Sequence, residues 1–333
     1  MIVLLAVLFA VSFVGTGWIR RYCLARGIVD IPNQRSSHSR IVARGGGIGF
    51  SGIFILAVLG LGIAGLTPSR AATGLAGGGI IIAVTGWVDD RKGLTQVPRI
   101  VLHLAAAFWA VVWLGPVPAL VSGSTVWMWV TQIAGVIAFA WMINLYNFMD
   151  GTDGIAGVEA VTVAVASGFL CTMAGLAEPG HVYWLLAAAV AGFLLWNWPP
   201  AKIFMGDAGS GFLGFTFAAL TLWSSVENIR LFWPCVILLS VFVADATTTL
   251  VRRMLKREKW YEPHSTHAYQ KLARRNGHLP IALGVAIVNI AVLAPVAWMA
   301  WLHPSLGFPM AIAVNGVFAA FALSVSDNSQ ASR

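Results

Sequence analysis

Polar positions come in short bursts along this chain, separated by long apolar stretches. A helix needs about 20 mostly apolar residues to cross a bilayer, with a range of about 17–25. Eleven stretches approach that length: 1–18, 44–66, 71–88, 100–115, 126–143, 155–176, 182–198, 210–226, 231–250, 280–302 and 307–325. The pattern predicts an all-α polytopic membrane protein with about 11 transmembrane helices. It reads as one transmembrane domain over 1–325 and a polar, flexible tail at 326–333. The first stretch, Met1 to Trp18, is followed by Arg20 and Arg21. A secretory signal has its positive residues before the apolar run. The reversed order predicts a span that stays attached.

Composition supports this reading. Of the 333 residues, 58% are hydrophobic and 10% are charged, against about 25% charged in soluble domains. The net charge of +8 raises the question of nucleic acid. The placement of the charges answers it. With the N-terminus outside, the segments 19–43, 89–99, 144–154, 199–209, 251–279 and the tail face the cytoplasm. Counting Arg44 with the first, they contain every Lys and Arg except Arg70 and Arg230. This is the positive-inside pattern. No nucleic-acid-binding pattern accompanies it, so no nucleic-acid partner is expected. Cys23, Cys171 and Cys235 are too scattered for a disulfide framework and read as small buried hydrophobes. The glycines from Gly74 to Gly79 read as close helix packing.

The chemistry gathers in the cytoplasmic connections. Asp89, Asp90, Asp150, Asp153 and Asp207 all fall in them or at the adjoining helix ends. Carboxylates converging there would repel one another without a cation, and an oxygen-rich site suits Mg²⁺ or Mn²⁺. Asp89-Asp90 ends the third span, where acids oppose the helix dipole. Arg99 follows as a membrane anchor or a phosphate contact. Asn144 to Gly154 carries Asn144, Asn147, Asp150 and Asp153 with two Asp-Gly turn signals, and no Lys or Arg offsets its acids. Lys202 to Ser210 places Asp207 at the start of the eighth span between glycines. A helix N-terminus there favours an anion, or Asp207 is simply a cap. Arg44-Gly45-Gly46-Gly47 has the same character. In the longest loop, His264 and His267 beside Lys271, Arg274 and Arg275 read as a diphosphate or nucleotide contact, or as a basic loop on anionic lipid. Asp245 shares a helical face with Arg252 and is either an ion pair or functional. His103 and Glu159, near cytoplasmic helix ends, are open between packing and site roles.

In this order the elements resemble one family, the polyprenyl-phosphate N-acetylhexosamine-1-phosphate transferases of glycosyltransferase family 4. The likeness runs from Asp30-Ile31-Pro32-Asn33-Gln34-Arg35-Ser36-Ser37-His38 to the histidine loop. It includes Asp89-Asp90, Asn144-x-x-Asn147-x-x-Asp150-Gly-x-Asp153-Gly and Phe204-Met205-Gly206-Asp207-x-Gly209-Ser210. The His264-x-x-His267-Ala-Tyr-Gln form looks most like the bacterial O-antigen-initiating branch. The resemblance implies a multi-pass protein of the bacterial inner membrane with ten or eleven spans around a cytoplasmic cleft, and leaves a homodimer open; the Lys and Arg bias places the N-terminus in the periplasm and the C-terminus in the cytoplasm. It implies transfer of a sugar-1-phosphate from a UDP-sugar to undecaprenyl phosphate, releasing UMP. By similarity, Asp207 would bind Mg²⁺ with Asn147 as helper, and Asp89 and Asp90 would lie by the reacting phosphates. Asn144, Asp150 and Asp153 would shape the nucleotide-sugar site. Arg99 and His267 would touch phosphates. Ala43, where many members have Pro, and the sparse histidine cluster depart from the pattern.

The lipid phosphate is already a nucleophile, so direct in-line attack is expected, with Asp89 or Asp90 orienting the acceptor or taking its proton. A covalent aspartyl-phosphate is the rival route. Two other classes compete. A transporter of an anionic substrate would keep its ionisable residues near mid-membrane rather than at helix ends. A CDP-alcohol phosphotransferase would need Arg after Asp153-Gly154-Ile155-Ala156, where this chain has Gly157.

Overall fold

The computed structural model describes residues 1–32, 40–118, 125–258 and 265–331, and of residues 327–331 only the backbone. Asn33 to His38 and His264 lie outside the described residues. Fourteen helices run along the described chain: α1 (Ile2–Ala25), α2 (Gly47–Ile63), α3 (Ser69–Lys92), α4 (Gln96–Leu114), α5 (Thr125–Met149), α6 (Ile155–Met173), α7 (Ala177–Asn197), α8 (Asp207–Glu227), α9 (Phe232–Leu238), α10 (Ser240–Leu255), α11 (Ala268–Asn276), α12 (His278–Val288), α13 (Ala294–Leu302) and α14 (Gly307–Ala331). Among the described residues, nine helical segments are long and apolar enough to cross a membrane, and α9 with α10 makes a tenth if that bent pair is one span. The apolar α2 is shorter, at 17 residues. The protein is a helical, multi-pass membrane protein, and each of the eleven apolar stretches holds helix.

Several boundaries differ from the expected ones. The stretch 231–250 is not one straight helix: α9 and α10 meet at Leu239 with a 68° bend. Helix α5 continues past residue 143 to Met149, because nothing breaks helical geometry before Asp150-Gly151. Helix α14 runs on to Ala331 through the segment expected to be a flexible tail, which has no Gly or Pro to stop it. The fold also departs from all-α by one ribbon. β1 (Val29–Asp30) pairs antiparallel with β2 (Val42–Ala43), two β-branched valines favouring extended chain.

Helix α8 is the hub. Of its apolar window, 83% is buried, against 17% for α1, α5 and α14, which face outward. With lipid outside, close packing rather than water exclusion holds such helices together. The α3 glycines serve that end, since a Cβ on Gly78 would run into the Phe215 ring of α8. Phe212 stacks edge-on against Phe54 of α2 and near Phe50.

Polar residues inside the bundle are tied across helices. Glu159 of α6 accepts from Asn289 Nδ2 at 2.7 Å, and the same amide donates to Thr162 at 2.8 Å. Asn289 opens a π-helical turn, Asn289–Leu293, between α12 and α13. Glu159 thus has a packing role. At one end of the bundle Arg70 pairs with Glu227 at 2.7 Å. At the other end lie the termini of α1, α3, α5, α7 and α10 and the starts of α2, α4, α6, α8 and α12, with the acidic connections between them.

Candidate active site

Two backbone strips build the floor of that end. Phe204 donates to Ala43 O at 2.8 Å, Gly46 to Phe204 O at 2.9 Å and Gly47 to Met205 O at 2.8 Å. The chain entering α2 therefore lies beside the chain entering α8, and Arg44 is carried to Asp207. Gly206 makes the turn into α8 at φ +73°, where a side chain would be strained and its Cβ would collide with the Asp90 carboxylate.

The adjacent acids of α3 have different surroundings. The Asp90 side chain is 0% exposed and both oxygens are engaged. Oδ1 accepts from Arg44 Nε at 2.8 Å and from the Asp207 backbone N–H at 3.0 Å, and Oδ2 accepts from the Ala208 N–H at 3.2 Å. Asp90 is thus an N-cap for α8 supplied by another helix, satisfying donors that have no partner within α8. The Asp89 side chain is 9% exposed. It accepts from the Leu94 N–H and pairs with Arg99 at 3.0 Å. The Asp207 side chain is 16% exposed and sits between both guanidiniums, 2.9 Å from Arg44 and 3.7 Å from Arg99. Burial opposes the Arg44 charge, but Asp90, Asp207 and Asp30 outweigh it and push its pKa up.

The last turns of α5 close the cluster. Asn144 and Asn147, three residues apart, share a helical face. Asn144 Nδ2 lies 3.1 Å from His103 Nδ1 and donates to Ala140 O at 2.8 Å. Asn147 Oδ1 accepts from Ser210 of α8 at 3.0 Å. Asp89, Arg99, His103, Asn147 and Asp207 line a small cavity of about 10 Å³, on the scale of one water or one ion. Asp150, one residue beyond α5, has a carboxylate with no hydrogen bond or ion pair among the described residues. Its pKa is pushed well above the usual carboxylate range by burial, then by Asp207, with Asp90 and Asp153 adding and Arg44 opposing.

Asp153 sits differently. It is buried, and its Oδ2 accepts from the Ala201 N–H at 3.0 Å and lies 3.2 Å from His278 Nδ1. It fastens one loop to another. Two residues that the motif reading passed over share this work. His278 Nδ1 accepts from the Asp153 N–H at 3.3 Å. Asn197, 2% exposed, accepts from the Gly154 N–H and donates to Ile203 O, both at 3.0 Å. The only sequence signal for Asn197 was an amide as the last residue of an apolar helix. Asn197→Ala leaves one buried donor and one buried acceptor unpaired, at about 1–3 kcal/mol each. A clear drop in melting temperature, with lower activity, is expected; an unchanged melting curve would contradict this role.

The histidine loop reaches the site from the side. His267 is 2% exposed and its Nδ1 lies 3.5 Å from Asp245 Oδ1. Asp245 also accepts from Thr249 at 3.1 Å and from the Ala268 and Tyr269 N–H groups at 3.1 and 3.0 Å. The intramembrane acid therefore caps α11. Tyr269 OH donates to Phe148 O at 2.8 Å, which docks α11 on the Asp150 loop. His267 itself is placed at the cap, stacked near Phe148.

The donor set bears on a metal. Among the described residues, no group of three or more His, Cys, Asp and Glu could hold an ion. Mg²⁺ usually takes one or two protein carboxylates and keeps waters or substrate oxygens. Asp207 and Asn147 on the 10 Å³ cavity fit such a partial shell. Around it, Asp89, Asp90 and Asp207 outnumber Arg44 and Arg99 by one charge.

Fold and site together define a class: multi-pass membrane proteins with a carboxylate–guanidinium centre at one end of the bundle. Comparison with known proteins narrows it. Residues 72–225 match the family model described as Glycosyl transferase family 4. The chain is 30% identical over 268 residues to the "Probable undecaprenyl-phosphate N-acetylglucosaminyl 1-phosphate transferase" of Bacillus subtilis, covering 76% of this chain and 72% of that protein. It is 28% identical over 319 residues to the decaprenyl-phosphate N-acetylglucosaminephosphotransferase of Mycolicibacterium smegmatis, covering 84% and 78%. A phospho-N-acetylmuramoyl-pentapeptide-transferase of a Mycobacterium species is 32% identical over 237 residues, covering 59% and 64%. The chain belongs to the polyprenyl-phosphate hexosamine-1-phosphate transferase family.

Proposed function

We propose that the protein transfers a sugar-1-phosphate from a UDP-N-acetylhexosamine, or a deoxy derivative, to undecaprenyl phosphate. The products are undecaprenyl-diphosphate-sugar and UMP, and the role is initiation of O-antigen or related envelope polysaccharide. The protein acts in the bacterial inner membrane, with its N-terminus periplasmic and its C-terminus and acidic end cytoplasmic. The observation that carries this reading is the cluster of Asp207 with Arg44, Arg99 and Asp89, in a chain of this family.

The chemistry follows from that cluster. An oxygen of the acceptor phosphate attacks the sugar-bearing phosphorus in line. A new P–O bond forms, the P–O bond to the UMP phosphate breaks, and UMP leaves with the bridging oxygen and its electron pair. Asp207 and Asn147 would hold Mg²⁺, which offsets the negative charge of the donor diphosphate and of departing UMP. Arg44 and Arg99, now paired with carboxylates, supply planar donors for phosphate oxygens once those acids have another counter-charge. Asp89 orients the acceptor phosphate or takes its remaining proton. Asp90 has no free oxygen and positions Arg44 and α8. Asp150 is free to accept a hydrogen bond from the donor's sugar or base. A second cavity of about 220 Å³, lined by apolar side chains including Met149, Ile155, Val285 and Phe318, flanks the Asp150 loop and suits the start of a polyprenyl tail.

The test is purified enzyme with undecaprenyl phosphate and a panel of UDP-sugars, scoring UMP. Release dependent on both substrates, abolished by EDTA and restored by Mg²⁺ or Mn²⁺, is expected. No UMP with any donor, together with indifference to EDTA, would refute the assignment. Labelled phosphate trapped on the enzyme without acceptor would refute direct attack.

A further inference from the structure

Arg44, Arg99 and Arg253 are each paired with a carboxylate. Beside the site, where α1 meets the end of α7, two basic side chains are not. Arg20 Nε donates to the Lys202 carbonyl at 3.0 Å. The Arg20 guanidinium carbon lies 6.0 Å, and Lys202 Nζ 5.6 Å, from the centre of the Trp196 ring. Neither has a carboxylate partner among the described residues. Two like charges are gathered on one indole, with no acid between them.

The surface around the pair is apolar. Phe13, two helical turns before Arg20, stacks on Trp196 at 5.3 Å, and its carbonyl accepts from Trp196 Nε1 at 2.9 Å. Phe13, Val14 and Trp18 are exposed along α1. Indole rings and basic residues at a span's end mark the headgroup level of a bilayer. We propose that Arg20, Lys202 and Trp196 form a docking site for the headgroup phosphate of an anionic phospholipid, with its acyl chains along Phe13 and Val14. The charges select an anion, and the apolar stripe below them selects a lipid over a soluble phosphate.

Such a lipid would brace the catalytic loop. Lys202 donates to Trp196 O at 2.8 Å, its neighbour Ala201 donates to Asp153, and Phe204 donates to Ala43. Lys202 is thus the outer edge of the strap that ends at Asp207. The inference needs only that α1 and α7 cross the membrane, so it can fail while the transferase reading stands.

The experiment is native mass spectrometry of the full-length protein titrated with phosphatidylglycerol or with phosphatidylcholine of the same chains. Wild type should retain phosphatidylglycerol preferentially. Arg20→Gln/Lys202→Gln should bind it roughly 30-fold more weakly, the combined effect of two basic residues at a lipid surface. Lys202→Gln alone, on an exposed side chain, should show an intermediate loss if the double variant folds poorly. Equal retention by wild type and variants, or equal retention of the two lipids, would overturn the proposal. So would displacement of phosphatidylglycerol by inorganic phosphate, pointing to a soluble anion, or by undecaprenyl phosphate, pointing to the acceptor.

Discussion

Asp207→Asn will abolish most transferase activity while leaving the protein folded. The expected loss of UMP release is about 10²–10³-fold or more, the range for removing one charge-stabilising group from a reaction centre. The argument starts from position. Asp207 begins α8, the most buried span, and is held there by backbone contacts that do not involve its carboxylate. Its side chain, 16% exposed, meets two arginines and the 10 Å³ cavity. The amide keeps the shape and loses the charge. It would pair less well with Arg44 and Arg99 and hold a divalent ion poorly. Two measurements separate this outcome from misfolding: initial rates of UMP release across a Mg²⁺ series, and the melting curve in the same detergent. Activity within about threefold of wild type would remove Asp207 from the proposed metal site.

The broad fold was legible because membrane spans are written in composition. Apolar stretches of bilayer length each correspond to helix, and the acids stand out against them. The bend at Leu239 was not legible. The run from Phe232 to Phe242 is apolar except for Ser240, directly after the break, and a single Ser in an apolar run does not announce the 68° turn, although its hydroxyl donates back to Val236 O at 3.4 Å and accepts from Asn315 at 3.0 Å. The end of α5 is hidden for a related reason. Polarity puts Asn144 and Asn147 in the loop, although their spacing of three is a helical one and puts both on the face toward His103 and Ser210.

The site was legible as residues and less so as roles. Asp89, Asp90, Asp207, Asn147, Arg44 and Arg99 do converge. Which acid faces substrate and which holds the frame depends on partners far away in the chain. Asp90 caps a helix that begins 117 residues later, and Asp245 caps one that begins 23 residues later. Capping signals are local in sequence when the helix supplies its own cap. Here another helix supplies it, and no pattern in one sequence marks that. The same holds for Asn197, whose two partners lie in different loops.

That distinction yields the second large effect, a split between neighbouring acids. Asp90→Ala should lower both stability and activity, whereas Asp89→Ala should lower activity with little change in melting temperature. Removing the Asp90 carboxylate unpairs the N–H groups of Asp207 and Ala208 and leaves Arg44 with one acid fewer. Losing a helix cap costs about 0.5–2 kcal/mol, and stripping one partner from a buried charge pair costs about 3–5 kcal/mol. Arg44 is 36% exposed and keeps Asp207, so the lower end of that range applies. Asp89 sits at the cavity, and its loss frees Arg99, which retains Asp207 nearby. Asp90→Asn should recover part of the stability, because its amide oxygen still accepts from one backbone N–H, but not the Arg44 pairing. Melting curves and UMP release on the three variants decide the matter. If Asp89→Ala melts as low as Asp90→Ala, or if Asp90→Ala melts like wild type, the division of labour between the two acids is wrong.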